Sequence, residues 1–165
     1  MLQRNDLKHR YFVNQLCFLI AALFASKSIY SAIIVLKIII ISADIGILYI
    51  GTKLLKRMHL PIKNIFWYVL NPFIIIEMTG NLHFEPVMIF FLVWSLLALH
   101  KKQWIWAAIL LACAISVKLI PLLLLPLFYQ WFVKNNQNWL KGFVKLNLFY
   151  TIVLSTTLLL FLPFY

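Results

Sequence analysis

The chain has 165 residues, of which 64% are hydrophobic and 12% charged, and its net charge is +11. Soluble domains run at roughly 45–50% apolar and about 25% charged residues, and a domain this small has too much surface to hide the excess. Composition therefore excludes an ordinary soluble enzyme, a disordered chain and a disulfide scaffold. It points to a polytopic membrane protein.

The positive charge is not placed as a nucleic-acid binder would place it. Lys and Arg stand in short clusters between apolar runs, such as Lys53, Lys56, Arg57 and Lys63, then Lys101 and Lys102. Such clusters mark the cytoplasmic ends of membrane helices rather than a phosphate-tracking face. Cys17 and Cys113 both lie inside apolar segments and read as small buried residues. Neither a Cys-x-x-Cys nor a histidine-rich spacing suggests a structural zinc site. With no internal repeat and no low-complexity linker, residues 1–165 read as a single integral-membrane domain.

In chain order, residues 1–10 are polar and carry Arg4, Lys8 and Arg10. The apolar stretch Tyr11 to Ala25 is either a short first span or a helix lying on the membrane surface. Ile29 to Thr52 is the strongest segment: as a helix it would reach roughly 36 Å, enough to cross a hydrocarbon layer of about 30 Å. Lys37 and Asp44 interrupt it on one face, but about 10 Å of axial rise separates them. A third segment, Ile62 to Met78, should kink or break at Asn71-Pro72, where proline removes a donor and clashes one turn back. A fourth starts at Pro86, a favoured first helical residue, and ends near Leu99. A fifth covers Trp104 to Val117. A sixth runs from Pro121 to Val133, disrupted at Pro126, and a last one from Val144 to Leu162.

The expected architecture is all-α: a transmembrane bundle of six to seven membrane helices, several of them short and proline-broken. The fourth, fifth and sixth would be only about 20 Å long and too short to span comfortably. Irregular backbone at membrane depth needs protein or a water-filled cavity to satisfy it. Short helices meeting at one face thus imply a recessed polar cavity there.

If Ile29–Thr52 runs from outside to inside, the basic residues sort themselves. Over the loops from residue 53 onward, Lys53, Lys56, Arg57, Lys63, Lys101, Lys102, Lys134, Lys141 and Lys145 fall inside, and Lys118 alone falls outside. That is a clear positive-inside bias. The external side then gathers Glu77, Asn81, His83, Glu85 and Lys118. Ionisable groups near membrane depth are costly, about 2.5–3.5 kcal/mol each at a helix centre, so their clustering favours a shared functional site. Simpler roles compete: Glu85 suits the positive end of the helix beginning at Pro86, Lys118 suits the carbonyl end of its own helix, and His83 could be a solvated loop residue.

Three stretches carry a resemblance. Asn71-Pro72-Phe-Ile-Ile-Ile-Glu77, Gly80-Asn81-Leu-His83-Phe-Glu85 and Ser-Val-Lys118-Leu-Ile-Pro121, in this order, resemble the integral-membrane mannosyltransferases of the GT-C fold. That group includes polyprenol-phosphate-dependent bacterial enzymes and the first mannosyltransferase of glycosylphosphatidylinositol synthesis. The resemblance covers roughly residues 11–130. It implies a multipass protein of the bacterial inner (plasma) membrane that moves a hexose, by expectation mannose. The donor would be a polyprenyl-phosphate sugar and the acceptor a lipid-linked or surface glycan, on the extracytoplasmic face.

Under that resemblance Lys118 would hold the donor phosphate, assisted by Lys37, and the helix starting at Pro121 would add backbone N–H groups. Glu77, Asn81, His83 and Glu85 would bind substrate, or alternatively a divalent cation; no metal site or other cofactor is assigned. The family's main catalytic carboxylate sits in a large external loop after a first helix, and the aspartates here, Asp6 and Asp44, are not so placed. The catalytic base is therefore left unassigned, and the chain reads as a piece shortened at both ends. The rival reading is a non-enzymatic multipass membrane protein such as a transporter subunit, scaffold or inactive relic, because broken helices with polar groups at membrane depth also build transporter sites.

Overall fold

The computed structural model describes Cys17, Leu19, residues 29–134 and residues 138–162, apart from the side chains at 29 and 77–79. The expected first segment, Tyr11–Ala25, lies outside the described residues except for Cys17 and Leu19.

Helix α1, Ile29–Arg57, is one continuous helix that outruns the expected end at Thr52 by more than a turn. Its many isoleucines are poor helix formers in water, but an apolar segment in lipid must satisfy its backbone internally, and only a helix does so within one segment. Its extension carries Lys56 and Arg57 in the last turn, where cations oppose the negative end of the helix dipole. The third expected helix does not form as one piece. A 3₁₀ turn, Ile62–Ile65, runs into the short α2, Phe66–Val69. The chain breaks before Pro72, where Asn71 Oδ1 accepts the Phe73 N–H at 3.0 Å, and resumes as a wide π turn, Ile74–Gly80. Proline interrupts the ladder where the sequence said it would.

Helix α3, Glu85–His100, has Pro86 in its first turn, and α4 covers Trp104–Val117. The sixth segment is subdivided into a 3₁₀ turn, Ile120–Leu124, the short α5, Leu125–Tyr129, and a π turn, Gln130–Lys134. Helix α6, Trp139–Phe161, begins five residues before the expected Val144. No strand occurs among the described residues.

Helix α4 is the centre of the bundle, flanked by α3 and α6. Its Ala107, Ala108, Ala112 and Ala114 are fully buried, and such small side chains let neighbouring backbones approach closely. The buried Ser95 hydroxyl donates to the Ala107 carbonyl at 2.7 Å, tying α3 to α4. On the far side Phe128, Phe132 and Phe149 stack in a buried cluster with Leu111 and Ile115. Gly46 of α1 lies under the Phe90 ring, and Gly142 of α6 lies against the Phe132 carbonyl.

Outward faces are apolar. Ile34, Ile38, Ile41, Ile45 and Tyr49 form an exposed stripe down α1, and Leu140, Val144, Leu148, Leu154 and Leu158 are exposed along α6. Among the described residues, these two helices are the ones long and apolar enough to cross a membrane. Exposed apolar surface of that extent marks contact with lipid, and the chain is a membrane protein.

Two helix ends are closed without glycine. Lys102 takes a left-handed φ of 63°, and Gln103 N–H reaches back to the Ala98 carbonyl at 2.9 Å. His59 does the same beyond α1, with φ 58° and Leu60 N–H bonded to Leu55 O at 2.9 Å. A side chain in this backbone region costs about 1 kcal/mol that glycine avoids. Lys102→Gly is therefore expected to stabilise the fold by roughly 0.5–1 kcal/mol, read as a higher Tm in detergent; a lowered Tm would show that the Lys102 side chain itself stabilises the turn.

Candidate functional site

The α3–α4 hairpin turns at residues 101–103, so residues equally distant from that turn face each other. Glu85 and Lys118 are such a pair. They stand 33 positions apart and form a part-buried, hydrogen-bonded ion pair between the N-terminus of α3 and the residue that ends α4. The simpler roles considered from sequence treated each as a helix-end charge on its own helix; the structure joins them to one another. Lys118 sits there because α4 stops at Val117 and Lys118 itself is extended, at φ −151° and ψ 148°.

His83 joins the pair from the loop before α3, with Nδ1 3.7 Å from Glu85 Oε2. That carboxylate oxygen is buried and makes no hydrogen bond. Burial pushes the Glu85 carboxyl up, but the Lys118 hydrogen bond, its own backbone N–H and the charges of Lys118 and His83 more than offset this. Glu85, which lies outside the two membrane-length helices, is thus held below the usual carboxylate range.

The loop that delivers His83 is strained. Leu82 has a left-handed φ of 57°, a region that costs a branched, non-glycine residue of order 1 kcal/mol and that tends to occur at functional sites. Leu82 and Phe84 pack against the small cluster formed by Leu36 of α1 and Cys17, which holds the loop in place. The sequence offered no sign of this strain.

The other expected site residues are distributed as follows. Asn81 is exposed one residue before Leu82, in the same loop. Glu77 lies on the π turn, with its side chain outside the described residues. Lys37 follows Leu36 on α1 and is exposed; the described contacts do not join it to Glu85 or Lys118. The helix expected to start at Pro121 is only a 3₁₀ turn, in which Leu122 N–H is already bonded to Leu119 O at 3.0 Å. The backbone cradle imagined for an anion there is correspondingly smaller. From Leu119, the next residue in the chain after Lys118, an almost wholly apolar cleft of about 350 Å³ opens between the end of α4, the Ile120–Leu124 turn and α6, lined by Ile115, Leu119, Leu122, Tyr150 and Leu158 among others.

A second polar feature was only half legible. Asp44, expected on one face with Lys37 but too far along the helix to pair with it, accepts a hydrogen bond from the Tyr68 hydroxyl of α2 at 3.4 Å. The pair borders a cavity of about 240 Å³ walled by Ile41, Leu48, Val69 and Ile74. Among the described residues, no group of three or more His, Cys, Asp or Glu side chains could hold a metal ion.

The two ends of the bundle differ in charge. Arg57 Nε donates to the His100 carbonyl at 3.0 Å, so the ends of α1 and α3 lie together, with Lys101 and Lys102 beside them. Glu85, His83 and Lys118 gather at the opposite end of α3 and α4.

Residues 15–134, well over half of the chain, match the family model for the N-terminal domain of alpha-(1->6)-mannopyranosyltransferases. The chain belongs to that mannosyltransferase family. The matched span of this mannosyltransferase domain includes Asn71-Pro72, the His83–Glu85 loop and Lys118. No curated protein and no solved structure gives a significant match to it.

Proposed function

We propose that the chain is the membrane part of a GT-C-fold mannosyltransferase that takes its sugar from a polyprenyl-phosphate donor and passes it to a lipid-linked or surface glycan. The proposed topology has six to seven membrane helices and places the Glu85–Lys118 end on the extracytoplasmic face of the bacterial inner membrane. The observation that carries the reading is the Lys118–Glu85–His83 cluster at the end of the bundle remote from Arg57, Lys101 and Lys102. Family membership supplies the class of reaction.

Sugar transfer from a lipid phosphate develops negative charge on the leaving phosphate, which a preorganised cation stabilises. Lys118 supplies that cation as a compact point charge. The apolar cleft that begins at the next residue, Leu119, suits the first isoprene units of the lipid. In the proposed complex the phosphate takes the place of the Glu85 carboxylate on Lys118. Glu85 and His83, with Asn81 and Glu77 on the same connection, then contact sugar or acceptor hydroxyls. Lys37 assists by extending its ammonium outward along α1. The base that deprotonates the acceptor is assigned to no described residue.

The donor class is the testable core of this reading. Membranes containing the complete protein should transfer labelled mannose from polyprenyl-phosphate mannose to an endogenous glycan lipid. They should not do so from a nucleotide-linked mannose once synthesis of the lipid donor is blocked. Transfer that persists from the nucleotide sugar under that block would defeat the proposal.

A further inference from the structure

A different site lies at the basic end, where no role has been assigned. Between the last turn of α3 and the α5 region is a cleft of about 200 Å³ whose lining is almost entirely apolar. Leu96, Leu99, Leu124, Leu127 and Phe128 wall it, and His100 and Trp131 border it with their rings packed edge to face, centroids 4.7 Å apart. Leu127 and Trp131 are exposed, so the cleft opens to the side of the bundle.

The polar surroundings are all of one sign. Arg57 is anchored on the His100 carbonyl at 3.0 Å, exposed Lys101 and Lys102 follow His100 directly, and exposed Lys134 ends the turn that carries Trp131. Carboxylates stand elsewhere. Asp44 precedes Arg57 by thirteen residues, roughly 20 Å along the helix. Glu77 and Glu85 belong to the opposite end, and Asp6 is outside the described residues.

We propose that this cleft is a binding site for one anionic phospholipid, its acyl chain lying against the leucines and its phosphate facing Arg57, Lys101 and Lys102. The occupant follows from the pairing of the two parts. A side-opening apolar slot suits a chain that arrives from the bilayer, and basic groups at the mouth select an anionic headgroup over a zwitterionic one. Trp131 and His100, amphipathic rings at the junction of the two, suit the headgroup level. A bound lipid would also fasten α1, α3 and the α5 region together at the end where only Arg57 bridges α1 to α3 by a described side-chain bond. The proposal does not depend on the transferase reading.

The test uses the full chain purified in detergent with phosphatidylcholine. Added phosphatidylglycerol should raise Tm in a saturable way that further phosphatidylcholine does not reproduce. In the Lys101→Gln/Lys102→Gln double variant, which removes only exposed charges, half-saturation should need about tenfold more phosphatidylglycerol. Leu127→Trp, which fills the open side of the cleft, should abolish the rise while leaving Tm in phosphatidylcholine alone unchanged. As a second measurement, phosphatidylglycerol brominated on its acyl chains should quench tryptophan emission in phosphatidylcholine vesicles more than brominated phosphatidylcholine does. That difference should vanish in Trp131→Phe. Equal stabilisation by phosphatidylcholine, equal stabilisation by inorganic phosphate, or quenching that survives Trp131→Phe would each overturn the site.

Discussion

Lys118→Ala in the complete enzyme is expected to reduce mannosyl transfer by roughly 10²–10³-fold, the usual consequence of losing one preorganised group that stabilises transition-state charge. Two effects add. The leaving phosphate loses its cation, and Glu85, part-buried and paired with Lys118, is left with an uncompensated charge in the place the donor should occupy. Lys118→Arg should recover only part of the activity, because a larger planar guanidinium cannot take the position of the compact ammonium that passes from the Glu85 carboxylate to the phosphate. Glu85→Gln separates the two effects. If Glu85 only occupies Lys118 until the donor arrives, the glutamine variant should bind donor at least as tightly as wild type and lose activity only through acceptor contacts. Donor binding to the purified variants decides the matter: binding unchanged in Lys118→Ala would reduce Lys118 to a structural ion-pair partner. The sign of the pH response follows from the depressed Glu85 carboxyl. Its contribution to stability is fully present above the ordinary carboxylate range and is lost only as pH falls through the lower folded value. Neutral and mildly acidic solutions should leave the pair intact.

Gly142→Ala is expected to destabilise the bundle by about 1–3 kcal/mol despite alanine's better helix propensity. An added Cβ would lie 2.4 Å from the Phe132 carbonyl oxygen and 3.1 Å from the Val133 Cα. Both obstacles are backbone, in a π turn that also carries the buried Phe132 and Val133, so α6 must move away from its core face. Gly51→Ala is the matched comparison. Its Cβ would meet the Ile65 Cδ1 at 2.7 Å, the far end of a side chain that can rotate aside, and its cost should stay below about 1 kcal/mol. Thermal unfolding of both variants in one detergent checks the contrast. Equal Tm values for the two would mean that the α6 contact is loose.

The sequence by itself determined the class of the molecule and its punctuation. Excess apolar composition demands a membrane, because no domain this small could bury it. Pro72 breaks its segment and Pro86 opens α3 because a missing donor and a fixed φ act locally, whatever the tertiary context. The sorting of Lys53, Arg57, Lys101 and Lys102 to one end, and of His83, Glu85 and Lys118 to the other, also followed from alternation of short segments along the chain.

What only the tertiary structure decided is which of these groups touch. Glu85 and Lys118 looked like two independent helix-end charges, because a helix dipole explains either one alone. Their pairing depends on the register of the α3–α4 hairpin, although the signal was present in numbers: their midpoint falls between Lys101 and Lys102, in the turn. That Asp44, too far along the helix from Lys37 to pair with it, meets Tyr68 has a related reason, since α2 folds back beside α1 only after the chain turns past Arg57. The left-handed Leu82, the Arg57–His100 contact and the close approach at Gly142 had no signal in the sequence at all. Each is imposed by packing between segments, where close-packed side chains and backbone leave a single arrangement that local propensity does not encode.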